Sequence, residues 1–165
     1  MSFFSSLFGW LPFSTGKSKN FGSEIARFPY EQRHGTFLGT QNRPMVTVSL
    51  WSPIDKDWHQ VLMLLDTGAD VTVIPRYLAS FIGLDIQGAR KIETAGIGGN
   101  SELSIIDDVT ISIGTGTTKK EISIPVGVTS ERIPPLLGRQ AALEQFGIYL
   151  EAKTQSIFYE LPDQK

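Results

Sequence analysis

Asp66-Thr67-Gly68 sits between two apolar runs, and no other stretch constrains the fold as strongly. Before it, Val61, Leu62, Met63, Leu64 and Leu65 are continuous hydrophobes, the pattern of a strand buried on both faces. After it, Val71, Val73 and Ile74 are β-branched and suit a second strand. The Asp66 carboxylate therefore falls where two buried strands meet. An ionised carboxylate in a water-poor setting is costly unless hydrogen bonds or a partner compensate it. Gly68 gives the connecting turn a backbone path that other residues resist. Asp, Thr and Gly are also common turn formers, so the bare tripeptide fits a plain turn as well. The strands on both sides single it out.

A second block, Pro134-Pro135-Leu136-Leu137-Gly138-Arg139, leads into the helical pattern Gln140 to Gly147. Between the two blocks lies the glycine cluster Gly96-Ile97-Gly98-Gly99-Asn100. An apolar-Asp-Thr-Gly-Ala block, a glycine-rich tip and an apolar-apolar-Gly-Arg block, in that order, resemble the retropepsin family of aspartic proteases. The likeness covers roughly residues 44 to 161. It implies a mainly β chain, a closed acid-protease barrel with one C-terminal helix, acting as a homodimer on polypeptide substrates.

The resemblance also implies roles. Asp66 is the catalytic carboxylate, Thr67 hydrogen-bonds across a twofold axis, and Gly68 offers backbone to the substrate. Ala69, Asp70, Val73, Pro134 and Leu136 contact substrate, and Gly96, Ile97, Gly98 and Gly99 form a flap over it. Arg139 supports the site by pairing with Asp70, an ion pair expected to be partly buried. Val71 stands where many retroviral members carry another acid, which makes the neighbouring pocket more apolar. Carboxylate hydrolysis of a peptide needs two acids close together, and the chain carries one Asp-Thr-Gly. The second must come from a second copy. The alternative is a retropepsin-like domain used for binding or dimerisation without proteolysis.

Composition narrows the chemistry. The absence of cysteine removes thiolate catalysis, disulfides and Cys-ligated zinc. His34 and His59 are far apart, with no partner at ligand spacing, so no metal and no Ser-His-Asp triad is expected. No cofactor is called for. A net charge of -2 gives no electrostatic reason to expect nucleic acid. No apolar run is long enough to span a membrane, and the expected location is cytoplasmic.

Residues 1–28 read as an N-terminal arm and linker, and residues 29–165 as the protease domain. Phe3, Phe4, Leu7, Phe8, Trp10 and Leu11 share one side of a helical wheel, with Ser and Gly opposite. Three readings stay open for residues 2–12: an interfacial helix at a membrane surface, a removable pro-segment, or an arm packed on its own domain. Gly16-Lys17-Ser18 lacks the leading glycine of a phosphate loop. Phe28-Pro29 places an aromatic residue directly before proline, a junction the resemblance implies can be cut, so the chain is expected to shorten itself near residues 20 to 30.

From Pro44 strands follow: Met45 to Trp51, Trp58 to Leu65, then a short helix from Arg76 to Ile82 closed by Gly83. Lys91–Ala95 and Glu102–Ile106 form a hairpin whose tip is the glycine cluster, since no helix follows it as a dinucleotide loop would require. Val109–Ile113 and Glu121–Val128 form another, and Ile148–Leu150 with Ile157–Leu161 a last. Asp107-Asp108 reads as a solvated acidic pair at a strand boundary.

Overall fold

A computed structural model describes residues 22–161 apart from 36, 38, 97, 98 and 115, and only the backbone of 95, 96 and 100. The amphipathic segment 2–12 lies outside the described residues, as do Ile97 and Gly98. The chain opens with β1 (Glu24–Pro29) and a hairpin of β2 (Glu31–Gly35) and β3 (Gly39–Arg43). The alternation after Pro44 forms β4 (Met45–Ser52), which returns as β5 (Asp57–Leu65), in register from Met45–Leu64 to Ser52–Asp57. Next come β6 (Thr72–Pro75) and the helix α1 (Arg76–Ile82). Gly83 stops α1 in the left-handed region at φ 76°, its N–H bonding the Ser80 carbonyl at 3.1 Å. β7 (Arg90–Gly96) and β8 (Gly99–Ile113) make the glycine-tipped hairpin, followed by β9 (Lys120–Thr129) and β10 (Leu136–Leu137). β11 (Phe146–Glu151) and β12 (Gln155–Glu160) close the described chain.

The protein is mainly β. One sheet runs β4-β5-β10-β6-β9-β8-β7, and β4 also pairs with β8 through Ser49–Ser112 and Leu50–Ile111. A second sheet runs β1-β12-β11. Alternation along β4 buries Val46, Val48 and Leu50 and turns Thr47, Ser49 and Trp51 outward. Those inward residues meet Met63, Ile111, Ile113 and Ile124 in the main core. The smaller sheet closes onto it through Phe158, fully buried, with Phe28 and Phe146 edge-on at 5.6 and 5.4 Å. Among the described residues no helix is long and apolar enough to cross a membrane.

Two expectations give way. The C-terminal helix is not formed: Arg139 to Ala142 turn, and Leu143–Gln145 make one 3-10 turn before β11 starts. Ala141 has φ 57°, which breaks a right-handed helix, while the N–H groups of Arg139 and Gln140 bond the Ala69 and Asp70 carbonyls at 2.9 and 2.7 Å. Those two N–H groups would have no partner within a helix in any case, so it is the left-handed Ala141 that ends it. The strands expected at 102–106 and 109–113 are one strand, β8, bent where its register with β9 shifts between Ile106 and Val109. Asp107 and Asp108 lie at that shift, exposed, the first 3.4 Å from Arg90 and the second accepting from Ser123 at 3.5 Å. β1 runs across residue 28, with Phe28 and Pro29 paired to Ser156 and Gln155.

Candidate active site

β5 delivers Asp66, and the turn after it points the carboxylate back at its own backbone. Asp66 Oδ1 accepts from the N–H of Gly68 at 2.9 Å and of Ala69 at 3.2 Å. Among the described residues nothing bonds Oδ2, and the side chain is half-buried. Gly68 does not occupy the left-handed region. Glycine is favoured there by closeness instead, because an added Cβ would lie 3.2 Å from Asp66 Oδ1. Thr67 and Gly68 are exposed at the tip of the turn.

The second sequence block holds this turn from below. β10 inserts between the strands on either side of Asp66, parallel to β5 through Leu136–Leu64 and Leu137–Leu65 and antiparallel to β6 through Leu136–Val73. The Asp66 N–H bonds the Leu137 carbonyl at 3.0 Å, and the Leu64 N–H bonds Pro135 at 2.8 Å. Gly138 is buried against Val71 and Thr72, where a Cβ would come 2.3 Å from the Val71 carbonyl. Arg139 then pairs with Asp70. That pair is not buried: the two side chains are 51% and 79% exposed. Backbone hydrogen bonds tie the two blocks together, and the ion pair lies over them.

An open cleft of about 520 Å³ lies above the turn. Asp66, Gly68, Ala69, Asp70, Val73 and Leu136 line it on one side, and Gly99 lines it from the β7–β8 hairpin. Gly96 faces Gly99 across that hairpin, at its end. Thr67, Pro134 and Arg139 stand outside the cleft lining. Val71, expected to make the neighbouring pocket more apolar, lines it as well, and residues not expected from sequence complete the walls: Thr94, Ser101, Leu103, Thr129, Glu131 and Ile133. Alternation could have found Ser101 and Leu103, which lie two apart on β8 and share a face. Nothing local marks Glu131, which enters the cleft only because the chain between β9 and β10 folds across it. Among the described residues no group of His, Asp or Glu is placed to hold a metal ion.

A family model described as retroviral aspartyl protease matches residues 40–151. The matched span holds the Asp66 turn, the β7–β8 hairpin and the Gly138-Arg139 block, and leaves β1, β2 and β12 outside. No curated protein matches the chain.

Proposed function

The chain belongs to the retroviral aspartyl protease family, and on that premise we propose that it is an aspartic endopeptidase whose active site forms between two copies. The observation that carries this reading is the Asp66 carboxylate, fixed through one oxygen by two backbone N–H groups, at the floor of an open cleft under a hairpin. One chain supplies one such carboxylate. A second copy, related by a twofold axis through the exposed turn at Thr67 and Gly68, supplies the other. The pairing of β4 with β8 supports a sheet closed on itself behind the site.

With two carboxylates side by side, one proton is shared between them. The ionised Asp66 takes a proton from water as its oxygen attacks the scissile carbonyl carbon. The protonated Asp66 of the second copy donates to the carbonyl oxygen, giving a tetrahedral diol. Collapse breaks the C–N bond, and the leaving nitrogen takes a proton from the pair. Thr67 hydrogen-bonds across the axis, Gly68 and Asp70 hold substrate backbone, and the hairpin ending at Gly96 and Gly99 closes over the peptide and excludes water. Val73, Leu136 and Val71 supply apolar surface for substrate side chains.

Cleavage of a mixed peptide library by wild type and by Asp66→Asn tests the reading. Wild type should cut, and Asp66→Asn should lose activity by about 10⁴-fold or more, as loss of an essential base predicts. Equal cleavage by both removes Asp66 from the chemistry. Peptide binding by wild type without cleavage leaves the domain as a binding module.

A further inference from the structure

The cleft described above combines two features that one kind of side chain fits. Part of its lining is apolar: Val73 and Leu103, backed by the buried Ile105, with Val71, Ile133 and Leu136 packed partly exposed against them. Its charged lining residues are all acidic: Asp66, Asp70 and Glu131. Asp66 is the reacting group, and Asp70 already pairs with Arg139. Glu131 differs from both. Its Oε1 accepts from the Ser101 hydroxyl at 2.5 Å, and its own N–H bonds Thr129 Oγ1 at 3.1 Å. Among the described residues no cation pairs with it, the adjacent Arg132 included.

Glu131 is thus a carboxylate held by one neutral donor, on a backbone anchored at Thr129, with acceptor sites left over, since an ionised carboxylate offers about four lone-pair positions. Its partner Ser101 stands two residues from Leu103 on β8, so the hydroxyl that holds the carboxylate and the apolar Leu103 lie about 7 Å apart along one strand face. Lys and Arg are the side chains that lay an apolar stem over such a surface and present a charged head at its edge. A strand-like peptide places alternate side chains on one face, so one of them falls here.

We infer that Glu131 selects substrates carrying Lys or Arg at the position that crosses the Val73–Leu103 surface. The inference rests on the endopeptidase reading for what occupies the cleft, and it names the class of peptide the cleft takes. A hydrogen-bonded ion pair formed under a closed hairpin is drier than a surface one, which sets the expected discrimination at about tenfold.

The test uses matched apolar peptides with Lys, norleucine or Glu moved through each position. Wild type should cut the Lys peptide about tenfold faster, in kcat/KM, than the Glu peptide at one position, with norleucine between them. Glu131→Gln should bring that ratio near one, and Glu131→Lys should invert it. Glu131 is exposed, so both variants are expected to fold. Binding of the same peptides to Asp66→Asn, read by fluorescence anisotropy, should show the same order. If wild type binds with this preference and cuts nothing, the endopeptidase reading falls and the role of Glu131 stands. If the Lys-to-Glu ratio is unchanged in Glu131→Gln, in cleavage and in binding, the inference is overturned.

Discussion

A Cβ added at Gly138 would lie 2.3 Å from the carbonyl carbon and oxygen of Val71 and 2.8 Å from the Thr72 nitrogen. These are backbone atoms of the Asp66 turn, and they cannot rotate away as a side chain would. The neighbouring bonds hold them: Gly138 N–H to Thr72 Oγ1 at 3.2 Å, and Arg139 N–H to Ala69 at 2.9 Å. Gly138→Ala should therefore destabilise the protein by about 3 kcal/mol, the upper end of overpacking costs. Urea titration reads it, and a change below about 0.5 kcal/mol, the size of an ordinary surface substitution, would show that the turn moves freely. The next residue carries the opposite expectation. From sequence, Arg139 and Asp70 promised a partly buried pair, whose loss would cost about 3–5 kcal/mol. The pair is present but its side chains are 51% and 79% exposed, which puts Arg139→Ala at about 0–1 kcal/mol in the single chain. A loss above about 2 kcal/mol in a dilute, monomeric sample would contradict that exposure. Thus the pairing was legible in the sequence and its burial was not, because burial depends on what lies above the loop.

Phe28-Pro29 shows the same limit for a whole element. As sequence it reads as an extended junction suited to self-cleavage. In the fold it belongs to β1, with Ile25 buried, Phe28 against Phe158, and the Ile25 carbonyl accepting from Thr118 at 3.0 Å. Cutting there would take Ile25 out of the core, a loss of about 2–5 kcal/mol by analogy with truncating a buried aliphatic side chain. Any self-shortening should therefore stop short of β1. Intact mass followed for a day at acidic pH, beside Asp66→Asn, should show no species starting at Pro29. Such a species in wild type alone would mean that β1 opens readily. The elements that sequence placed well are those set by local pattern: β4 by its alternation, β5 by its apolar run, and α1 by Pro75 before it and Gly83 after it. Those it missed are set away from local pattern or carry none. Gln140 to Phe146 has helical spacing, yet Ala141 at φ 57° leaves only one 3-10 turn. The hairpin of β2 and β3 carries mostly polar residues, with no hydrophobic period to announce it. In the cleft, Asp66, Val73 and Leu136 follow from motifs, whereas Glu131 and Ile133 arrive through an irregular connection with no pattern of its own.

At the scale of the molecule, the decisive feature is that the Asp66 turn exposes Thr67 and Gly68 and presents one carboxylate. Half a catalytic pair has a quantitative signature that a complete single-chain site lacks. Specific activity should fall on dilution, as copies separate by mass action. Mixing provides the sharper measurement. Asp66→Asn keeps the turn, since the amide oxygen still accepts from Gly68 and Ala69, and so it should pair with wild-type chains while contributing no base. If copies exchange at random, a ninefold excess of Asp66→Asn leaves about one wild-type chain in ten with a wild-type partner. Activity per wild-type chain should then drop about tenfold, although the amount of wild-type protein is unchanged. Equal activity with and without the variant, after incubation long enough for exchange, would place the whole catalytic apparatus within one chain. In that case the second carboxylate would have to come from the same cleft, where Asp70 and Glu131 are the acids beside Asp66. Asp70 is already engaged by Arg139, so Glu131→Gln alone would then abolish cleavage of every peptide rather than alter the choice among them.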